Sequence, residues 1–312
     1  MSLFGRWSLN ISLGIVAGIV AGAFWGLVFL APELTRGFTP IQLSAGRYLA
    51  YGLIAAILVL RSWRRLFATL TWREWKALAW LSFAGNIIYY FFLAKAVQTG
   101  GIAMASIVIG LLPVMITLVG SRDAGAVPLR SLVPSIFLST AGLCCISWQH
   151  LQSGSLAGLL YASGALASWT AYAVGNSRWL ARLQSVTPHE WSMLTGLVTG
   201  AEALLLAVPA LPSGAPQHSA AEWLYFAAVV TSVAILCSII GNGFWNYASR
   251  ALPLTLTGQL IVFETLFAAL YGFLWEARWP TVVETLAMAL LVAGVASCAL
   301  AHGPRRSSVA VT

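Results

Sequence analysis

The chain has 312 residues, of which 59% are hydrophobic and only 8% are charged, and its mean hydropathy is +0.84. No water-exposed globular domain has this composition, so the sequence predicts an all-α protein embedded in a bilayer. The net charge of +8 lies mostly in alternate loops between apolar stretches, a distribution that argues against nucleic-acid binding.

Ten apolar stretches follow one another along the chain. A helix needs roughly 20 apolar residues to cross about 30 Å of hydrocarbon. Stretches of this kind lie near residues 9–31, 40–60, 76–98, 101–120, 130–149, 154–175, 188–209, 222–249, 253–275 and 280–301. The sequence therefore predicts ten transmembrane helices, called spans one to ten below. No small-residue cleavage site follows the first stretch, so we expect it to be an uncleaved helix and not a signal peptide.

The basic residues predict the orientation of the spans. Alternate loops carry most of the arginines, among them Arg61, Arg65, Arg122 and Arg250. Because positively charged loops remain in the cytoplasm, we expect both termini on the cytoplasmic side of the inner membrane.

Landmarks of the first five spans recur in the second five, at offsets of 144, 148, 148 and 152 residues. The pairs are Trp25 with Trp169, Thr39-Pro40 with Thr187-Pro188, Glu74-Trp75 with Glu222-Trp223, and Gly142 with Gly294. Because five spans end on the opposite side of the membrane, an equivalent second unit must run upside down. The pattern predicts two inverted five-helix repeats, residues 1–150 and 151–312, around a central cavity. It also predicts that Trp25 lies toward the outer leaflet and Trp169 toward the inner one. Because one chain contains both repeats, a monomer is sufficient for transport.

A strip of glycines runs along span one at every fourth residue, from Gly14 through Gly18 and Gly22 to Gly26. Such a strip lets another helix approach closely. It predicts either a static packing surface or a sliding surface for alternating access.

Amide side chains share helix faces within the spans. Asn86 and Tyr90 are four residues apart in span three, as are Asn242 and Asn246 in span eight. An amide facing lipid lacks a hydrogen-bond partner, so these faces should point into the protein. They either join neighbouring helices or line the cavity and bind substrate. Further candidates for polar lining are Gln98 and Gln259.

Aromatic residues within the spans are candidates for the cavity wall. They include Trp25, Tyr89, Tyr90, Trp169 and Trp245. Aromatic walls suit a flat, apolar ligand, because offset or edge-on ring pairs add about 0.5 to 1.5 kcal/mol beyond burial. The alternative for each ring is simple packing.

Three of the charged residues within spans, Arg47, Lys95 and Glu264, are candidates for a functional role. Glu264 is midway along span nine, where a charge must be paired, hydrated or protonated, so it is either a proton carrier or a structural acid. Lys95 is near the outer end of span three and either reaches the interface or binds a substrate carboxylate. Arg47 lies about 10 Å into span two, and we expect it to pair with Glu33 or Glu202.

A series of motifs relates the chain to a known family. They are Arg47-Tyr48-Leu49-Ala50, Ala94-Lys95-Ala96, Leu112-Pro113-Val114, Ala248-Ser249-Arg250-Ala251-Leu252-Pro253, Glu264 and Glu276. Over its whole length the chain resembles ten-helix, EamA-type members of the drug/metabolite transporter superfamily, and is most similar to aromatic amino acid exporters. It departs from the family pattern at Thr265, where a proline is usual, and at Arg122-Asp123. The resemblance implies a cavity walled by spans one, three, four, six, eight and nine, with spans five and ten to the side.

The function that follows is export of amino acids, aromatic or large and apolar, by a secondary transporter. The sequence lacks a G-x-x-x-x-G-K-[ST] loop, so we expect a gradient to drive transport. One alternative is a phosphorylated metabolite or nucleotide sugar as substrate, which calls for paired basic residues. Others are an intramembrane transferase, for which metal-binding carboxylates or histidines are too sparse, and a sensor or assembly subunit. We therefore expect no enzymatic activity, cofactor or metal.

Overall fold

The computed structural model describes residues 3–147, 155–210 and 218–302. All regular secondary structure in these ranges is helical, and short loops join the helices. Two π-helical segments, Phe83–Ile88 and Ala234–Gly241, and one 3₁₀ turn, Leu27–Leu30, lie between α-helices. The α-helices are α1 (Leu3–Gly26), α2 (Ala31–Leu34), α3 (Pro40–Val59), α4 (Trp63–Thr69), α5 (Trp72–Ser82), α6 (Tyr89–Ile109), α7 (Leu112–Gly120), α8 (Leu129–Ser147), α9 (Leu156–Arg182), α10 (Pro188–Ala210), α11 (Ala220–Val233), α12 (Asn242–Ala251), α13 (Leu254–Leu260), α14 (Val262–Trp275) and α15 (Val282–Ala301).

Six helical stretches in the described ranges are long and apolar enough to cross a membrane. They are Asn10–Leu34, Ile41–Val59, Trp72–Thr99, Ala220–Ala251, Leu254–Trp275 and Val282–Ala301. The prediction of an all-helical membrane protein is confirmed. Helices α9 and α10 have 27 and 23 residues, which is also sufficient length to cross a membrane.

Two predicted span boundaries differ from the observed helices. The expected loop between spans three and four, at residues 99 and 100, is helical, because α6 continues to Ile109 and ends only at Gly110. Span nine is divided at Ile261 into α13 and α14. The helix therefore breaks although Thr265 stands where the family resemblance implies a proline.

Two of the four recurring landmarks of the sequence, Thr39 with Thr187 and Glu74 with Glu222, belong to helix starts. At each start, the hydroxyl oxygen of the residue before the helix accepts a hydrogen bond from the backbone N–H of the third helical residue. The side chain of that third residue accepts one from the backbone N–H of the residue before the helix. These reciprocal pairs are Thr39–Gln42, Thr71–Glu74, Thr187–Glu190 and Ser219–Glu222. Corresponding helices of the two halves thus begin with the same local device.

Helices of the first half pack against helices of the second. The partners are α3 with α10, α6 with α9, α7 with α13, α8 with α15, and α1 with α12 and α14. Gly52 of α3 and Gly200 of α10 form the tightest crossing: a Cβ on either would lie 2.4 Å from the other's Cα. Two glycines are needed here because the backbones themselves touch.

The contact between α8 and α15 is reciprocal. Gly142 lies against Ala287 and Leu291, whereas Gly294 lies against Ser139 and Ser135. Since residue numbers rise along one helix as they fall along the other, α8 and α15 are antiparallel. Gly142 and Gly294 are the fourth pair of sequence landmarks, so equivalent positions make equivalent contacts.

The glycine strip of α1 is a close-packing surface, as one of the two interpretations predicts. Gly18 lies against Leu260, Gly22 against Glu264 and Gly26 against Ala268. A Cβ added at Gly18 would lie 2.4 Å from its neighbour, and one added at Gly22 or Gly26 would lie 2.9 Å from a backbone nitrogen. Helix α14 can therefore reach α1 only where α1 has no side chains.

Candidate functional site

Three tryptophans from three helices converge inside the helical bundle. Trp25 of α1 meets Trp169 of α9 edge to face, with ring centroids 6.2 Å apart. Trp245 of α12 lies 5.1 Å from Trp25 and 6.2 Å from Trp169. Trp25 and Trp245 are buried, and Trp169 is partly exposed. Because their rings are in contact, Trp25 and Trp169 lie at nearly the same depth in the bundle, and their placement toward opposite leaflets stays a prediction.

The second π-helical segment holds Trp25 in place. The indole N–H of Trp25 donates to Oδ1 of Asn242 at 3.0 Å and to the carbonyl of Cys237 at 3.2 Å. π-helical turns alter the regular backbone bonding of a helix and often occur at functional sites. Asn242 also lies beside the hydroxyl of Tyr51. Asn242 is thus part of the same cluster, and one of its bonds joins spans one and eight.

The indole nitrogen of Trp245 is a buried donor without an acceptor. Trp245 is 2% exposed, and its Nε1 has no hydrogen-bond partner within the described ranges. A buried N–H without a partner costs about 1 to 3 kcal/mol. Such a donor beside two other tryptophans fits a site in which a ligand or water accepts the bond.

Arg47 lies next to the tryptophan cluster, and its predicted partners are wrong. Its Nε donates to Oγ of Ser238 at 3.0 Å, and its guanidinium lies over the ring of Tyr48. Glu33 instead pairs with Arg36 at the end of α2. Arg47 and Ser238 are 191 residues apart in the sequence, so nothing local indicates that they would bond.

Glu264 lies in the first turn of α14, against Gly22 of α1. It is partly exposed and within Coulombic range of Arg47 and Tyr89. No nitrogen of Arg47 comes within the 4.0 Å limit for a direct ion pair with it. The two charges are therefore close enough to influence each other but do not form an ion pair.

Residues of span three divide between this region and the helix contacts around it. Tyr89 belongs to the region of Arg47 and Glu264. Tyr90 lies beside Ser44 of α3. Asn86 donates from Nδ2 to Oγ1 of Thr199 at 3.1 Å and thereby joins the first π-helical segment to α10.

Four of the predicted site residues lie elsewhere. Lys95 and Gln98 are exposed on α6, and no hydrogen bond or ion pair in the described ranges joins either to the tryptophan cluster. Asn246 is 2% exposed and accepts from Nδ2 of Asn176 at 2.8 Å. Gln259 is fully buried and bonds at 3.0 Å to both Ser139 and Thr117. For Asn246 and Gln259 the geometry favours a role in joining helices.

Sequence reasoning missed several members of this region. Ser238 lies in an apolar run and gave no signal. Tyr51, which donates to the carbonyl of Ser192 at 2.6 Å, was one of many aromatics. Asn176 carries the same signal as Asn86, a lone amide in an apolar helix, and could have been found in that way.

The buried amide of Gln259 yields a first prediction. We expect Gln259→Leu to lower the free energy of unfolding by about 1 to 3 kcal/mol, because Ser139 loses its acceptor and Thr117 loses one of its two hydrogen bonds. Substrate selectivity should not change. Thermal unfolding in detergent measures the first effect, and transport competition measures the second. Gln98→Leu, at an exposed position, is the matched control; an altered substrate ranking in Gln259→Leu would instead return Gln259 to the binding site.

Both halves of the chain match one protein-family model. Residues 12–148 and 156–299 each match the model described as the EamA-like transporter family. "Inner membrane protein YtfF" from Escherichia coli (strain K12) is 34% identical over 300 residues, which cover 90% of this chain and 93% of that protein. "Uncharacterized transporter" from Archaeoglobus fulgidus is 25% identical over 292 residues, which cover 92% of this chain and 95% of that protein.

A solved structure described as "Crystal structure of protein" has a similar fold. Its TM-score with this chain is 0.71, its sequence identity is 24%, and the match covers 92% of this chain and 98% of that chain. A likeness at this level of identity concerns the fold alone.

Proposed function

Because the chain belongs to the EamA-like transporter family, and thus to the drug/metabolite transporter superfamily, we propose that it exports amino acids across the inner membrane by alternating access. The family and the relatives identify the chain as a multi-pass membrane protein that transports small molecules. The substrate class, aromatic or large apolar amino acids, is our proposal, as are a cytoplasmic location of both termini and a monomeric state.

We propose that ten spans form two inverted repeats, residues 1–150 and 151–312, around a central cavity. The antiparallel crossing of α8 and α15 supports this arrangement, because their equivalent glycines make equivalent contacts. So does the crossing at Gly52 and Gly200, which are 148 residues apart, the same offset as between Thr39 and Thr187. Equivalent helices that meet in opposite directions are what inversion of one repeat produces.

The observation that carries the substrate proposal is the tryptophan cluster beside two opposite charges. Trp25, Trp169 and Trp245 offer aromatic surface, and Arg47 and Glu264 offer one positive and one negative group. A zwitterion with an apolar side chain matches this combination. A phosphorylated substrate does not, because a single arginine is accompanied here by a carboxylate that repels phosphate.

Counterflow in proteoliposomes tests the proposed substrate class. Vesicles loaded with unlabelled phenylalanine should accumulate labelled phenylalanine when they contain the purified protein. Tryptophan and leucine should compete, whereas a sugar phosphate should not. Accumulation that only the sugar phosphate inhibits, or no accumulation at all, would contradict amino acid transport.

Ion pairs between the two halves provide a prediction about alternating access. Arg178 of α9 pairs with Asp123 after α7 at 2.7 Å, and Arg65 of α4 pairs with Glu190 of α10. In the proposed topology both pairs lie on the cytoplasmic face. We expect a reducible bifunctional thiol reagent that links Asp123→Cys to Arg178→Cys to stop counterflow, because opening this face separates the two residues.

The control for this experiment lies within one half. Arg278 and Glu284 pair at 2.9 Å between α14 and α15, so linking Arg278→Cys to Glu284→Cys should leave counterflow intact. The native cysteines are replaced in both variants, and a reductant should restore transport in the first. Full transport by the linked Asp123/Arg178 variant would show that the halves do not separate there.

A further inference from the structure

Arg47 and Glu264 are charged groups inside the bundle that their protein surroundings leave incompletely satisfied. Arg47 lies on α3 and Glu264 on α14, both within stretches long and apolar enough to cross a membrane. A charge in such a stretch is costly unless it is paired or hydrated. Both residues are partly exposed, so neither side chain is fully enclosed by protein.

The guanidinium of Arg47 is only partly used by its protein neighbours. Its Nε is bound by Ser238, and within the described ranges no hydrogen bond or ion pair involves its two terminal nitrogens. A planar guanidinium presents paired N–H groups that match the two oxygens of a carboxylate. Because Ser238 holds Nε of the guanidinium, the two terminal nitrogens of Arg47 remain free to bind an anion.

The carboxylate of Glu264 is available in the same way. No hydrogen bond or ion pair in the described ranges involves its oxygens, and the charged group that acts on it is Arg47. Its backbone is held against Gly22, where a side chain on α1 would collide with it. Trp25 lies three residues after Gly22 on α1, so the backbone of Glu264 is within about one helical turn of a member of the tryptophan cluster.

We propose that Arg47 binds the carboxylate of the substrate and Glu264 binds its ammonium group, while the substrate side chain packs on Trp25, Trp169 and Trp245. This rests on the proposed function and adds the residues that distinguish an amino acid from its singly charged relatives. Arg47 and Glu264 do not form a direct ion pair with each other. In an α-amino acid, the ammonium and carboxylate groups are both attached to the α-carbon. A substrate molecule can thus complete both sets of hydrogen bonds at once.

Analogues that lack one charge test the proposal on the wild-type protein. Phenylalanine, phenethylamine and 3-phenylpropionate share the aromatic ring but carry both charges, only the ammonium and only the carboxylate, respectively. We expect each analogue to compete with labelled phenylalanine at least about tenfold more weakly than phenylalanine itself, because a buried charged partner is left unpaired. Equal competition by all three would overturn the proposal.

Two substitutions assign the charges to residues. Arg47→Gln should abolish most of the preference for phenylalanine over phenethylamine, and Glu264→Gln most of its preference over 3-phenylpropionate. The preference that each variant does not affect should remain. Arg36→Gln and Glu276→Gln make the same chemical changes at exposed positions and should keep both wild-type preferences.

The possible results separate this proposal from amino acid transport itself. Suppose that the wild-type protein exchanges phenylalanine and both variants keep the wild-type preference for phenylalanine over the two analogues. Arg47 and Glu264 then do not bind the substrate's charged groups, and the proposed function stands. If wild-type protein exchanges no amino acid, both proposals fail. Should Arg47→Gln not be recovered folded, Arg47→Lys replaces it: with one point charge instead of the fork, it should weaken phenylalanine binding while keeping the charge preference, and unchanged binding would count against the proposal.

Discussion

Gly200→Ala is expected to destabilise the protein, although alanine is the better helix former. The added Cβ would lie 2.4 Å from Cα of Gly52, which is far inside van der Waals contact. Backbone atoms, unlike the end of a flexible side chain, cannot move aside without separating α3 from α10. Overpacking of this kind costs about 1 to 3 kcal/mol or more. We therefore expect a lower unfolding temperature in detergent and a lower yield of monodisperse protein.

Gly272→Ala is the matched control for this prediction. Nothing lies within 4 Å of the position that a Cβ would take on Gly272, which is in the last turn of α14. The same change should there be neutral or stabilising, by up to about 1 kcal/mol from helix propensity. Gly52→Ala should reproduce the loss seen with Gly200→Ala. Equal stability of the variants at positions 200 and 272 would show that α3 and α10 do not cross at these glycines.

Asn176→Leu is expected to have an effect of similar size for a different reason. Asn176 is 1% exposed, donates to Oδ1 of Asn246 and accepts from Nε1 of Trp191, both at 2.8 Å. Leucine would leave one donor and one acceptor unpaired inside the bundle. At about 1 to 3 kcal/mol for each buried group, the loss should reach about 2 to 6 kcal/mol, measured as a fall in the unfolding temperature.

A double-mutant cycle separates the hydrogen bond from general damage. Trp191→Phe removes the donor to Asn176 together with part of the indole, and keeps an aromatic ring in the fully buried position of Trp191. The double variant Asn176→Leu/Trp191→Phe should be less destabilised than the sum of the two single variants, because no donor is left unpaired. Strict additivity would mean that the two side chains do not share a bond.

The membrane environment and the two related halves could be predicted from the sequence because they depend on local patterns. Hydropathy identifies helices that cross a bilayer whatever their partners. The recurrence of Thr39 and Thr187, or of Glu74 and Glu222, reflects capping pairs that close within three residues. Such contacts need no knowledge of the fold, and they appear in the structure where the sequence suggests.

Helix interruptions inside the bundle could not be predicted in the same way. The π-helical segments, Phe83–Ile88 and Ala234–Gly241, have no proline and no distinctive composition. The break of span nine at Ile261 likewise occurs in an apolar run. Each depends on how the backbone adapts to neighbouring helices, as when the carbonyl of Cys237 accepts from Trp25.

By itself the sequence determined a helical membrane protein, the related order of its two halves and a short set of polar and aromatic side chains within the helices. Only the tertiary structure decided which of those side chains meet. It joined Arg47 to Ser238 and not to Glu33, brought Trp25 against Trp169, and committed Asn246 to Asn176. The physical reason is that a helix presents every face within four residues, so periodicity shows which residues share a face but not which helix that face meets.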